Sequence, residues 1–248
     1  MNPVTTAGIL ITVYALSCVI LFLFGLRRVL AHTTLATDPK RRILTVTSFS
    51  IVAWMLLLSV LADAQVLAAP SLPPRPMFTV LFGLIVILTL SFTQTGKTLL
   101  KAAPLHWLVF FQAFRIGVEL WFWYTYQTGV FPEIMTFEGA NFDIAAGLLA
   151  IVAGFLILKQ PLHAKIIGSV FNIIGILILL NTLRAAALSM PSPVQQYPFD
   201  ERLLLLGQPY FIYLPGILVV LALGVHILSL RQLALYSKTD HNKAVQIA

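Results

Sequence analysis

The stretch VTTAGILITVYALSCVILFLFGLRR, Val4 to Arg28, decides the fold class. From Val4 to Leu26 it carries no charge, and as a helix rising about 1.5 Å per residue it would reach roughly 35 Å. That exceeds the hydrocarbon core of a bilayer, about 30 Å thick. Arg27 and Arg28 then close the run, as basic residues do at a cytoplasmic face. The run is too long for the apolar core of a signal peptide and no basic segment precedes it, so it reads as a retained transmembrane helix.

Six further stretches repeat the pattern. They run from about Ile43 to Val66, Met77 to Thr95, Pro104 to Tyr126, Asn141 to Leu158, Lys165 to Leu188 and Tyr210 to Leu233. Proline-rich segments separate the second from the third (Pro70 to Pro76) and the sixth from the seventh (Pro191, Pro193, Pro198). Proline lacks the amide donor a helix interior needs. Pro161 divides the fifth from the sixth, and Pro215-Gly216 predicts a kink within the seventh. The polar tail from Ser237 is expected to be disordered. The fold expected is all-α: one bundle of seven transmembrane helices over residues 1–236, with no separate soluble domain.

Composition agrees. Charged residues make up 10% of the 248 and hydrophobic ones 59%, whereas a soluble domain carries about 25% charged residues to meet water. The net charge of +7 does not point to nucleic acid, because its basic residues lie in short loops beside apolar spans. Assigning alternate loops to opposite sides puts Arg27, Arg28, Lys40, Arg41, Arg42, Lys97, Lys101, Lys159, Lys165, Arg231, Lys238 and Lys243 together, twelve of sixteen. Arg75 and Arg202 fall opposite, with Glu133, Glu138, Asp200 and Glu201. The positive-inside rule then sets the N-terminus outside and the C-terminus in the cytoplasm. Such a chain belongs in a plasma membrane or a bacterial inner membrane. Trp107 near one end of the fourth helix, with Trp121, Trp123, Tyr124 and Tyr126 near the other, reads as two interfacial aromatic belts. Cys18 stands alone, so no intrachain disulfide can form.

Ionisable groups within the apolar spans are where function speaks, since each costs several kcal/mol to bury, at least about 2.5. Gln112, Arg115 and Glu119 fall on one face of the fourth helix. Arg115 and Glu119 are four apart and are expected to pair. Asp143 opens the fifth helix, where Asn141 would cap it and the helix dipole favours a carboxylate. Asp143 also shares a face with Gly147 and Gly154, the side expected to meet a neighbouring helix. Asn181 and Arg184 share a face of the sixth, while Asn172 lies with Gly168 and Gly175 on the side expected to pack closely. His226, in the seventh, is expected to bond a neighbour's carbonyl. These positions suggest a network of Arg115, Glu119, Asp143 and Arg184 beneath the loop Phe131 to Asn141.

Several chemistries are disfavoured. All seven lysines lie at span edges or in loops, so no retinal Schiff base can form inside the bundle. His106 and His226 form no haem-binding motif, and no HExxH, GxSxG, phosphate-binding or dinucleotide-binding pattern occurs. Ser59 and Asp63, one turn apart, lack a nearby base. No cofactor or metal is expected. Gln112, Arg115, Glu119, Asp143, Asn181 and Arg184 are the candidate ligand-binding residues of an outward-facing polar pocket for a small polar or anionic ligand. Two rivals remain: an accessory subunit whose polar residues only lock helices or hold a membrane-protein partner or second copy, and an intramembrane enzyme using Glu119 or Asp143 as base.

Overall fold

The computed structural model describes residues 2–235; the polar tail from Ser237 lies outside them. The described residues form helices and connecting turns, with no strand among them. Asn2 caps α1 (Pro3–Ala31), its side-chain oxygen accepting from the Val4 amide at 3.0 Å. α1 runs on through Arg27 and Arg28, and α2 (Thr37–Asp63) takes Lys40, Arg41 and Arg42 into its first turns. Both helices outreach their apolar spans, because Lys and Arg are good helix formers. Apolar boundaries mark a change of solvent, not the end of a helix.

The third span holds a turn that its hydropathy conceals. α3 (Pro76–Phe92) ends at Thr93, and α4 (Gln94–Ala102) leaves it at 85°. The Thr93 hydroxyl caps α4 by accepting from the Gly96 amide at 3.0 Å. The expected fourth helix is likewise two: α5 (Leu105–Phe111) and α6 (Phe114–Gln127), broken at Gln112-Ala113. Around the break the amides of Gln112, Ala113, Arg115 and Ile116 bond carbonyls three residues back rather than four. The chain tightens there, and the Gln112 side chain donates to the Ala222 carbonyl at 2.8 Å.

A loop with one 3-10 turn (Glu133–Met135) leads to α7 (Asp143–Lys159), two residues later than the expected start at Asn141. α8 (Ala164–Leu188) follows a short turn at Pro161. Residues 189–213, with a 3-10 segment at Glu201–Gly207, lead into a π-helical turn at Leu214–Val219 and then α9 (Val220–Leu235). The expected kink at Pro215 is thus a widened turn, the usual response to a missing proline amide. Arg202 ties the 189–213 loop to the carbonyls of Gly129 and Phe131, at 3.3 and 3.5 Å. Its hydrogen bonds also hold the Asp200 carboxyl below the usual carboxylate range.

α9 lies at the centre, packed against α3, α4, α5 and α8, while α2 packs mainly on α1 and the π-helical turn and reaches α3 through Trp54, stacked on Phe82. By length and apolarity four helices could cross a membrane: Pro3–Ala31, Thr37–Asp63, Pro161–Leu188 and Leu214–Leu235. The bent pair α3–α4 makes a fifth. An all-helical fold of this kind is compatible with a multi-pass membrane protein. Trp121 departs from the belt expected of it. It is buried, donating to the Ala7 carbonyl at 2.9 Å among Phe122, Phe131 and Phe211. Trp123 and Tyr126 instead reach Glu138 and Glu133 at the loop.

Candidate functional site

Three glycine-permitted close approaches bring the charged residues together. Gly147 lets α7 lie against Ile116 of α6, Gly154 admits Phe110 of α5, and Gly175 of α8 faces the ring of His226. At Gly175 a Cβ would fall 2.6 Å from the histidine Nε2, so only glycine leaves room there. Into this seam α6 projects Arg115 and Glu119, and the break before it projects Gln112, each 1% exposed or less. Leu108, on the same face, is half-buried.

Arg115 does not pair with Glu119. Its Nη2 donates to Asp143 Oδ1 at 2.6 Å, and Nη1 to the Gly175 carbonyl at 3.1 Å. Nη1 also lies 3.3 Å from His226 Nε2. Bonding along one helix would have bent the guanidinium back, whereas α7 presents a carboxylate squarely across the seam. Because guanidinium has only donors, His226 Nε2 must accept, and Nδ1 donates to Asn172 Oδ1 at 2.8 Å. The Asn172 amide then donates to Ser229 Oγ at 2.7 Å and to the Gly168 carbonyl. Near the Lys159 end of the bundle, the Gln232 amide donates to the carbonyls of Leu100 and Ala103.

On the Asp143 side the network closes through Asn141. Its Oδ1 accepts from the Asp143 amide at 3.2 Å and from the Thr182 hydroxyl at 2.7 Å, while its amide donates to the Met135 carbonyl. Asn141 therefore does the expected capping work from one residue further out. Asp143 Oδ1 accepts from Arg115, and the Thr182 oxygen, its proton given to Asn141, lies 3.4 Å away. Its Oδ2 has no hydrogen bond among the described residues.

Gln112 Oε1 and Arg115 Nε are single unpartnered atoms of side chains bonded elsewhere, whereas Glu119 has no partner at all among the described residues. It is fully buried, and neither carboxyl oxygen has a hydrogen-bond partner among the described residues. The Phe137 amide lies near it without reaching hydrogen-bond geometry, and Asp143 and Arg115 act on it through space. The loop expected above the cluster supplies Met135, Phe137 and Asn141 to it.

Arg184 stands apart. It is exposed and bonds Gln196, Asn181 and Tyr197 at 3.0–3.2 Å. The four-member network therefore loses Arg184. Asn181 meets the site only through its backing loop, donating to the Ala140 carbonyl at 2.7 Å. Sequence reading missed His226, Asn172, Thr182 and Ser229 as network members. A signal was present: Gly168, Asn172, Gly175, Leu179 and Thr182 recur at helical spacing, so the polar residues ride the same buried stripe as the glycines.

Beside the cluster lies a cavity of about 70 Å³. Its lining is almost wholly apolar, including Met77, Val80, Phe122, Met135, Leu179 and Met190, and Asp143 and Thr182 mark its polar side. Arg115 does not reach it. Among the described residues no group of three or more His, Cys, Asp or Glu side chains converges as metal ligands would.

Residues 72–234 match a family described only as a domain of unknown function, DUF8737. The match covers well over half of the chain, which belongs to that family. No curated protein and no solved structure matches it. Every residue of the buried cluster lies within the matched segment, whereas α1 and α2 precede it.

Proposed function

We propose that the chain is a seven-span cell-membrane protein, N-terminus outside and C-terminus cytoplasmic, which binds or transports a small polar ligand at the Arg115–Asp143–Glu119 cluster. Five spans rise to seven when α5 and α6 act as one broken span and α7, 17 residues long, as another. Exposed Leu120, Leu148, Val152 and Phe155 support lipid contact for these two. The distribution of basic residues supports the orientation, because Arg28, Lys101, Lys159 and Lys165 belong to one end of the bundle. A thiol-specific reagent that cannot cross the membrane tests it. In a Cys18→Ser background, cysteines placed between Phe131 and Asn141 should label from outside, and those near His163 only after permeabilisation. Labelling of both from one side would refute the count.

The unpaired Glu119 carries the ligand reading. Polar groups retained only to lock helices do so by satisfying one another, and a half-satisfied network is worse than an apolar core. The half formed by His226, Asn172, Ser229 and the Gly175 carbonyl behaves as such a lock. The Glu119 side does not. A fully buried carboxyl without a donor is poised to accept from an incoming group, and in lipid-facing bundles such residues mark ligand and ion paths. Asp143 already neutralises Arg115, so the pull on anions expected from an arginine-bearing pocket weakens. A ligand that donates hydrogen bonds fits better.

The experiment screens small polar solutes for stabilisation of the purified protein in nanodiscs. Solutes that stabilise the wild type should lose their effect on Glu119→Gln, while the unliganded stability of the variant stays within about 1 kcal/mol, as an unpaired group implies. An unchanged solute profile in the variant would overturn the reading.

A further inference from the structure

The cavity beside the cluster narrows the class of ligand. Its volume, about 70 Å³, exceeds the 10–15 Å³ one water needs and is about half that of an engineered cavity known to hold benzene. A short alkyl or small cyclic body fits it without rearrangement. Three of the chain's five methionines, Met77, Met135 and Met190, line it. Methionine is unbranched and flexible, and such linings reshape around guests of different form. An apolar wall of this composition rewards an apolar guest.

Only two polar side chains meet that wall, and both are left as acceptors. Asp143 commits Oδ1 to Arg115, while Oδ2 has no hydrogen bond among the described residues. The Thr182 hydroxyl gives its proton to Asn141 at 2.7 Å and so turns lone pairs toward any guest. Apart from the Thr182 hydroxyl, already committed to Asn141, no side-chain donor lines the cavity. The Arg115 guanidinium, already neutralised by Asp143, does not reach the cavity.

We propose that this cavity binds small hydrophobic amines, the ammonium group donating to Asp143 Oδ2 and Thr182 Oγ and the hydrocarbon lying among Met77, Val80, Phe122, Leu179 and Met190. The inference rests on the cluster being a ligand site and engages it through Asp143, the one cluster residue of that site that lines the cavity. A carboxylate head of the same length would face two acceptors and no donor. An alcohol head could donate once but would bring no charge.

The test compares butylamine, butan-1-ol and butyrate as ligands of the full-length protein in nanodiscs at neutral pH. Binding is measured by calorimetry and thermal shift, with empty nanodiscs as the blank. Butylammonium should bind at least tenfold more tightly than butanol, and butyrate should not bind. Asp143→Asn should abolish the preference for amine over alcohol. Because that variant disturbs the ion pair with Arg115, Ala186→Leu is the companion: it fills the cavity from a lining position with no polar role, and should weaken butylamine binding at least tenfold. Equal or tighter binding of butyrate or butanol would overturn the inference while leaving the cluster a ligand site. So would amine binding that Ala186→Leu leaves unchanged. Absence of binding by all three, with a Glu119→Gln variant indistinguishable from wild type toward every solute, would overturn both.

Discussion

Asp143→Leu is expected to lower the stability of the purified protein by about 3–5 kcal/mol, because it leaves the Arg115 guanidinium buried without its countercharge. Arg115 is 1% exposed and its neighbours in α6, α8 and α9 leave no route by which the head could reach water. The two remaining contacts, the Gly175 carbonyl and His226 Nε2, are neutral acceptors. They solvate the cation without neutralising it. Arg115→Leu should cost a similar amount by stranding Asp143 on the other side of the seam. The double variant should recover a substantial part of the loss, since two apolar side chains of similar volume can replace a buried pair at little net cost. Thermal or denaturant unfolding in one detergent reads all three. If Asp143→Leu changed stability by less than about 1 kcal/mol, the value of an exposed pair, the buried ion pair would be refuted.

Gly175→Ala is the second large effect. In an exposed helix interior the change gains up to about 1 kcal/mol, because alanine loses less backbone entropy than glycine. Here the new methyl would collide with the His226 ring, 2.6 Å from Nε2. The ring cannot retreat, being held by Asn172 and Arg115 and packed against Phe171. Overpacking typically costs about 1–3 kcal/mol, and each buried hydrogen bond that breaks adds about 1–3 more. A net loss near 3 kcal/mol is expected. Adding His226→Ala should relieve the clash, so the double variant should be more stable than the sum of the single losses implies. Additive losses would mean that the glycine and the histidine do not meet.

The helical class was legible in the sequence because lipid imposes length and apolarity on each span, and both can be counted. Helix interruptions were not. The bend at Thr93 falls where the third span runs out into Gln94, Thr95 and Gly96, and the break at Gln112-Ala113 lies inside a long span, where hydropathy cannot distinguish a straight helix from two short ones. Neither site has a proline. At Thr93 the turn is made by a side-chain cap, and at Gln112 by a long-range bond to Ala222.

Burial of Gln112, Arg115 and Glu119 on one face was readable from helical spacing, but the partner of Arg115 was not. Spacing within one helix favoured Glu119, four residues on. Tertiary packing of α7 against α6 through Gly147 supplied Asp143 instead. Arg184 shows the opposite error. It sits near the outer end of its span, where an arginine can snorkel, and it lies on the exposed side of α8, bonded to Tyr197 and Gln196 of the following loop. The buried side of the same helix that carries Asn172 was read as packing surface because Gly168 and Gly175 share it. Gly175 admits His226, which turned a residue of little apparent promise into the centre of the network.

The central claim is that Arg115 is committed to Asp143, which leaves Glu119 free to receive a ligand. Two double-mutant cycles measured side by side test it most directly: Arg115→Leu with Asp143→Leu, and Arg115→Leu with Glu119→Leu, each followed by unfolding in the same detergent. The account predicts a coupling energy of about 2–3 kcal/mol for the first cycle and well under half of that for the second, at the two ends of the range neighbouring residues show. A coupling to Glu119 equal to or larger than that to Asp143 would contradict it.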